Sequence, residues 1–321
     1  GTLDRTNPAR NERIAGDAWQ TAVMSGRYTL LDGGMGQELL ARAEAPPSPL
    51  WSAKVMIDEP NLVRDVHRSF VDAGADVITV NAYSATRCRL GPHGVEHEYE
   101  RLQQLAGRLA VEARGDRDDV LIAGCLSPYG WTYRPELAPP FDELWPQYAE
   151  TAALQAPYVD LFLCETMGSI DEARAAVSGA AATGKPVWVS WTLHDDERAA
   201  LRSGELLTDA IEAVADLAPE AILINCSMPE ALTAAMSALA TSRVPFGAYA
   251  NGFTQIIDDY APGDVTTVLG HRHDLQPDTY ADIVETWLGH GATIVGGCCE
   301  IGPEHIAAVR RRLDRLGAGL S

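Results

Sequence analysis

Eight short apolar runs recur along this chain, each followed by a stretch of helical spacing, and this alternation restricts the fold more than any other feature. The runs are Thr29–Asp32, Ala75–Val80, Val120–Gly124, Val159–Cys164, Val187–Thr192, Ala221–Asn225, Phe246–Ala250 and Ala292–Val295. They are almost continuously apolar rather than alternating, as strands covered on both faces are. Helical patterns are expected over Asn61–Ala73, Glu98–Arg114, Phe141–Ala156, Ser169–Thr183, Glu205–Leu217, Pro229–Ala240, Pro277–His290 and Pro303–Leu316. Proline at the first turn opens several of them, and Ser169 ahead of Asp171 and Glu172 reads as an N-cap with first-turn acids. Eight β-then-α units predict a single closed (β/α)8 TIM barrel over residues 28–321, with an open doubly wound sheet as the alternative. Residues 1–27 read as a polar lead-in with a short helix around Ala15–Met24.

Composition narrows the function. A hydrophobic content of 46% supports a large core, and a formal net charge of −20 argues against nucleic acid or an anionic membrane as partner. No apolar run approaches the roughly 18 residues of a membrane span, and the start of the sequence has no apolar segment of the signal-peptide kind. Six cysteines without framework spacing suit a reducing cytosol, so a cytoplasmic location is expected. Lys54 and Lys185 are the only lysines, which weakens Schiff-base chemistry.

Barrel sites are built where strands end and loops begin, and the unusual residues of this chain fall there. Cys226 ends one apolar run, and the adjacent pair Cys298–Cys299 follows another two units on. Neighbouring cysteines bridge each other only with strain. Three thiolates on one rim would instead form an S3 face for Zn2+ with a fourth position open, the catalytic rather than the structural arrangement. The competing reading is that they are small buried hydrophobes. Such a soft centre suits a fourth sulfur: a substrate thiol loses its proton on coordination and becomes a nucleophile, so alkyl transfer to a thiol is the natural reaction. Asp32 and Glu165 could hold an ammonium group, and Gly33 and Gly34 allow backbone N–H groups close to a carboxylate. A thiol amino acid as acceptor would satisfy these features together, although taken singly Asp32 reads as a turn residue and Glu165 as a rim charge paired with an arginine. Asn81 ends the second strand and joins the same rim. Trp51, Tyr83, Tyr129, Trp131 and Tyr133 supply aromatic faces for a cationic methyl donor, or are simply packing. His271, His273 and Asp274 could suggest a second metal site, but they read as solvated loop, as do Asp195–Asp196–Glu197–Arg198. Cys88, Cys125 and Cys164 read as structural, although Cys125 and Cys164 lie near enough to the strand ends to approach the site.

The motifs Leu31–Asp32–Gly33–Gly34–Met35–Gly36, Pro49–Leu50–Trp51–Ser52–Ala53, Asn81–Ala82–Tyr83–Ser84–Ala85–Thr86, Glu165–Thr166, Asn225–Cys226 and Gly296–Gly297–Cys298–Cys299–Glu300–Ile301–Gly302–Pro303–Glu304–His305–Ile306 carry a resemblance. Over roughly residues 28–316 the chain resembles the zinc-dependent homocysteine S-methyltransferases of the single-barrel kind. The resemblance implies Zn2+ on Cys226, Cys298 and Cys299, with homocysteine held through Asp32, Gly33, Gly34 and Glu165. Methyl transfer from a small donor, S-methylmethionine or S-adenosylmethionine, would then give methionine. Two positions depart from the family pattern: Ala82 stands where a threonine is common, and Tyr249–Ala250–Asn251–Gly252–Phe253 stands where Tyr-Pro-Asn-Ser-Gly is familiar. A betaine-type donor, a selenol acceptor, a partner corrinoid protein and a silent zinc or redox-sensing barrel stay open, as does a homo-oligomer. A hydrolase or lyase on this scaffold would want histidine or carboxylate ligands, not three cysteines.

Overall fold

In the computed structural model, residues 28–44, 46, 48–256 and 269–318 are described. The lead-in over 1–27, with the short helix expected around Ala15–Met24, lies outside them.

Eight parallel strands form one sheet. They are β1 (Thr29–Leu30), β2 (Val77–Thr79), β3 (Leu121–Leu126), β4 (Leu161–Met167), β5 (Val187–Trp191), β6 (Ala221–Asn225), β7 (Phe246–Ala250) and β8 (Ile294–Gly297). Each pairs with its neighbours in sequence, and β8 pairs with β1. A parallel bridge between Leu31 and Val77, with the Asp32 N–H on Val77 O at 3.0 Å, joins β1 to β2. The expected TIM barrel is therefore the observed fold, and the open sheet is excluded. The first two strands are shorter than the apolar runs that announce them. Beyond Leu30 and Thr79 the chain turns into the rim loops that carry Asp32 and Asn81.

The side-chain period of two sorts each strand into an inner and an outer face. Leu31, Val77, Ala123, Leu161, Leu163, Trp188, Leu223, Tyr249 and Ile294 fill the barrel interior. The alternate residues, among them Phe162, Val187, Val189, Ile222 and Ile224, pack outward under the helices. This parity has a functional consequence. Counting up β4 from Leu161 and Leu163, the next inward position is Glu165, so a carboxylate caps the interior where another leucine would continue the core.

The helices hold close to their expected bounds: Tyr99–Arg114, Phe141–Gln155, Ile170–Ala181, Pro229–Leu239, Pro277–Gly289 and Pro303–Ala318. Ser169 caps its helix as expected, its Oγ accepting the Glu172 N–H at 3.2 Å. Two expectations change. The connection from β1 to β2 holds three helices, Met35–Arg42, Trp51–Asp58 and Pro60–Asp72, and the second of them begins with Trp51 at the rim. The helix expected over Glu205–Leu217 shrinks to Leu207–Ala213 and a short 3-10 turn. Glu205 is drawn out of it because its carboxylate accepts the Ile170 N–H at 2.9 Å and the Ser203 hydroxyl at 2.6 Å. Among the described residues no helix is long and apolar enough to cross a membrane.

Candidate metal centre

Three thiols meet at the mouth of the barrel. Cys226 leaves β6 with φ 48°, and this left-handed step turns the chain across the rim. Its N–H donates to Tyr249 O at 3.1 Å, and the Cys298 N–H donates to Ala250 O at 2.8 Å, so both loops hang from the top of β7. The β1 loop presses on the cysteine loop from the other side. A Cβ on Gly34 would sit 2.6 Å from Cys298 O, and one on Gly33 would sit 2.1 Å from Ile301 O. Glycine is required at both positions by this approach. The Sγ atoms of Cys226, Cys298 and Cys299 lie within 4.8 Å of one another, and those of Cys226 and Cys299 are 3.9 Å apart. With Zn–S bonds of about 2.3 Å, a tetrahedral ion needs thiolates about 3.8 Å apart. The Cys226–Cys299 pair matches that spacing, and the Cys298 thiol lies within 4.8 Å of both. All six cysteines are free thiols.

The metal-free cluster favours one thiolate. Burial opposes ionisation of Cys226, but the Cys298 and Cys299 thiols and the Tyr133 hydroxyl donate to it and hold its thiol well below the usual range. Burial and the neighbouring Cys226 charge push Cys298 up, and the contact with Cys226 is the main cause that pushes Cys299 up. Cys226 is thus the thiol of the three that ionises most readily, and the others lose their protons to an arriving dication. The Tyr133 hydroxyl is 3.1 Å from Cys226 Sγ, on a residue with φ 66°.

Two buried carboxylates line the same cavity. Asp32 Oδ2 accepts the Thr79 N–H at 2.8 Å. Burial pushes the Asp32 carboxyl well above its ordinary range despite that bond, and the nearby Glu165 adds to the effect. Glu165 Oε1 accepts the Cys125 thiol at 3.1 Å, Oε2 accepts the Tyr249 hydroxyl at 3.4 Å, and burial pushes its carboxyl up to about 7. Among the described residues neither acid has an ion-pair partner. Buried acids of this kind are stable as anions only beside a cation.

Other expected residues divide. Asn81, Trp51, Tyr83, Trp131 and Tyr133 line the cavity. Asn81 Nδ2 donates to Ser52 O at 3.2 Å, and Trp51 meets Tyr83 edge-on at 5.8 Å between centroids. Tyr129 does not belong with them: it lines a separate small cavity with Arg87 and Tyr99, because its N–H is drawn to Tyr148 Oη and Glu172 Oε1, both at 3.1 Å. The two glycine amides are not equivalent either. That of Gly34 donates to Ile301 O at 2.8 Å, which leaves only that of Gly33 to meet a ligand. His271 and His273 are exposed, as expected, with His271 Nδ1 2.8 Å from Glu300 Oε2. Asp195 is not the solvated residue expected. It accepts the Met228 and Ile256 N–H groups, each at 3.0 Å, and pairs with Arg202 at 3.3 Å, tying three loops together. Cys164 is buried under the helices, whereas Cys125 reaches the site through Glu165.

Sequence reasoning missed Arg89. It lies in a short helical turn, Arg87–Leu90, lines the cavity and stacks on the Trp131 ring at 4.3 Å. Arg87, two positions earlier, points outward to Glu150 at 2.6 Å. Nothing in the local sequence separates the two arginines.

The family model for homocysteine S-methyltransferase matches residues 29–313. Homocysteine S-methyltransferase of Escherichia coli (strain K12) is 31% identical, the match covering 88% of this chain and 94% of that protein. YbgG, a homocysteine S-methyltransferase of Bacillus subtilis (strain 168), is 29% identical over 87% of this chain and 92% of its own. Among solved structures, the metallated form of the homocysteine methyltransferase MmuM from Escherichia coli superposes with a TM-score of 0.75 at 28% identity, covering 91% of this chain and 98% of that one. A fold, a rim of three thiols and a match over nearly the whole described barrel thus agree, and the chain is a methyltransferase that belongs to the homocysteine S-methyltransferase family.

Proposed function

We propose that this protein transfers a methyl group from a small onium donor, S-methylmethionine or S-adenosylmethionine, to the thiol of homocysteine, giving methionine and the demethylated donor. The observation that carries the reading is three thiols within 4.8 Å of one another beside two buried, unpaired carboxylates in one cavity. Cys226, Cys298 and Cys299 would hold Zn2+, which, when bound, lowers the pKa of the acceptor thiol so that it is presented as a thiolate. Asp32 and Glu165 take the acceptor's ammonium group, which makes up for the charge burial they otherwise lack. The Gly33 amide meets its carboxylate, and Asn81, held by Ser52 O, fixes the wall beside it. Trp51 and Tyr83 form the edge against which the onium methyl is aimed. Tyr133 keeps Cys226 in place and blocks water from that side. The catalytic unit is taken to be a single barrel over residues 28–321, with 1–27 as a lead-in, working in the reducing cytosol.

The test is methionine formation by zinc-loaded protein from homocysteine and each of S-methylmethionine, S-adenosylmethionine, glycine betaine, dimethylsulfoniopropionate and methylcobalamin. Turnover with a sulfonium is the expected result. Turnover with betaine or methylcobalamin alone would replace the donor. Silence with all five in protein shown to carry zinc would overturn the assignment.

A further inference from the structure

The cavity contains a cation that the proposed reaction does not yet use. Arg89 is only 7% exposed and lines the cavity wall. Its guanidinium lies over the Trp131 ring at 4.3 Å and near the Tyr83 ring at 5.6 Å, and Nη2 donates to Thr132 Oγ1 at 2.7 Å. Nε is buried with no partner, and no carboxylate lies within ion-pair range among the described residues. Arg202 makes the contrast: its side chain is 8% exposed, it stacks on Tyr133 of the same rim, and it has Asp195 at 3.3 Å. Glu172 is the acid whose ionisation Arg89 favours, but its oxygens go to the Tyr129 and Gly168 N–H groups at 3.1 and 3.4 Å. A guanidinium is a rigid fork of donors that matches a carboxylate, and a buried one without a counter-ion is poised for an anion.

From this we propose that Arg89 binds a carboxylate of the methyl donor, so that the donor is a zwitterion with an onium at one end and a carboxylate at the other. The inference rests on the methyltransferase reading given above. The acceptor's own carboxylate is the less suitable partner. If Asp32 and Glu165 hold the ammonium of homocysteine, its carboxylate lies one carbon away from them. Tyr83 lies beside Arg89 and lines the same cavity as Cys226, along the path a donor spanning from the arginine to the thiol cluster would take. Arg89 also shapes the aromatic wall. One face of Trp131 is already covered by a guanidinium, so a bare onium ion would meet a like charge there. Only a donor that brings its own anion turns that repulsion into attraction.

The experiment compares matched donors on zinc-loaded protein with homocysteine. S-Methylmethionine is paired with (3-aminopropyl)dimethylsulfonium, and dimethylsulfoniopropionate with ethyldimethylsulfonium, so that each pair differs by the carboxylate. The wild-type protein should favour the carboxylate-bearing member in kcat/KM, on the order of 100-fold, as loss of one partner of a buried charge pair implies. In Arg89→Gln that preference should collapse, chiefly through donor KM, while homocysteine KM and zinc content hold. Arg89→Lys should restore part of it and guards against loss of folding in the glutamine variant. Equal use of both members by the wild type would overturn the proposal, as would a rise in homocysteine KM, which would give the arginine to the acceptor. Methionine formed from no donor at all would instead mark failure of the underlying methyltransferase assignment, and this inference would fall with it.

Discussion

Glu165→Gln should stabilise the metal-free protein, and it should do so much more at pH 8 than at pH 5.5. Burial pushes the carboxyl up to about 7 in the folded chain against 4.5 for an ordinary glutamate. Between these values the native state holds more protons than the unfolded state, so stability is present below pH 4.5 and falls as pH rises through 7. Integrating the two titrations gives a penalty of about 3 kcal/mol at pH 8 and about 1 kcal/mol at pH 5.5. Glutamine has no charge to desolvate and loses the same hydrogen bonds at both pH values. The difference between the two buffers, about 2 kcal/mol, therefore isolates the ionisation. With an unfolding entropy of about 2.1 cal/mol/K per residue over a barrel of this length, that corresponds to about 3 °C. Relief of Asp32, which Glu165 also pushes up, adds in the same direction. The assay is thermal unfolding by circular dichroism of reduced, chelator-treated wild type and variant in both buffers. A shift of the same size at both pH values would refute the reasoning, because the carboxylate would then have found a counter-charge that the geometry does not contain.

His67 supplies the opposite sign in the same two buffers. It is fully buried, neither ring nitrogen has a partner, and burial lowers its pKa to about 3. The unfolded histidine takes up a proton below 6.5 that the folded one refuses, so His67→Leu should gain roughly 1.5 kcal/mol more at pH 5.5 than at pH 8 by the same unfolding assay. Cys226→Ala should abolish stoichiometric zinc, measured by atomic emission, together with turnover, while the circular dichroism spectrum keeps its barrel shape; retained zinc would remove Cys226 from the ligand set. Gly34→Ala places a Cβ 2.6 Å from Cys298 O, so the cysteine loop has to shift. Zinc affinity should drop by about 10- to 100-fold, as for other changes that disorient ligands, and an unchanged affinity in a competition titration would show that the loop yields freely.

Much of this was legible because period and chemistry pointed to the same places. Eight apolar runs specify the barrel, and the barrel places Cys226 and Cys298–Cys299 on one rim. Of the legible acids, Glu165 carries a simple signal, a charge at an inward-facing position near the top of its strand, whereas Asp32 reads only as a charge just past the end of an apolar run. What stayed hidden depended on the path of loops. Met35–Arg42 and Trp51–Asp58 are short helices inside a long connection, where hydrophobic period is weak. Tyr129 and Tyr133 look alike in sequence and part because the Tyr129 amide is captured by Glu172 and Tyr148. Arg89 and Arg87 part for a similar reason, since a turn of four residues sends one inward and the other out. Asp195 looked solvated within a charged run, and only the arrival of Met228 and Ile256 from distant loops makes it a buried tie.

Among the described residues, five of the seven non-glycine residues with left-handed backbone, Trp51, Tyr133, Thr166, Cys226 and Glu300, line the cavity or adjoin a residue that does. Each such step costs on the order of 1 kcal/mol or more against glycine. A selection for heat resistance alone would therefore find its easiest gains at the mouth of the barrel: Cys226→Gly would relax the backbone that Cys226→Ala leaves bent. The same steps would dismantle the rim that binds. Ruggedness and catalysis compete here for the same few dihedral angles, and a programme to harden this protein should search the outer helices and leave the strand ends alone.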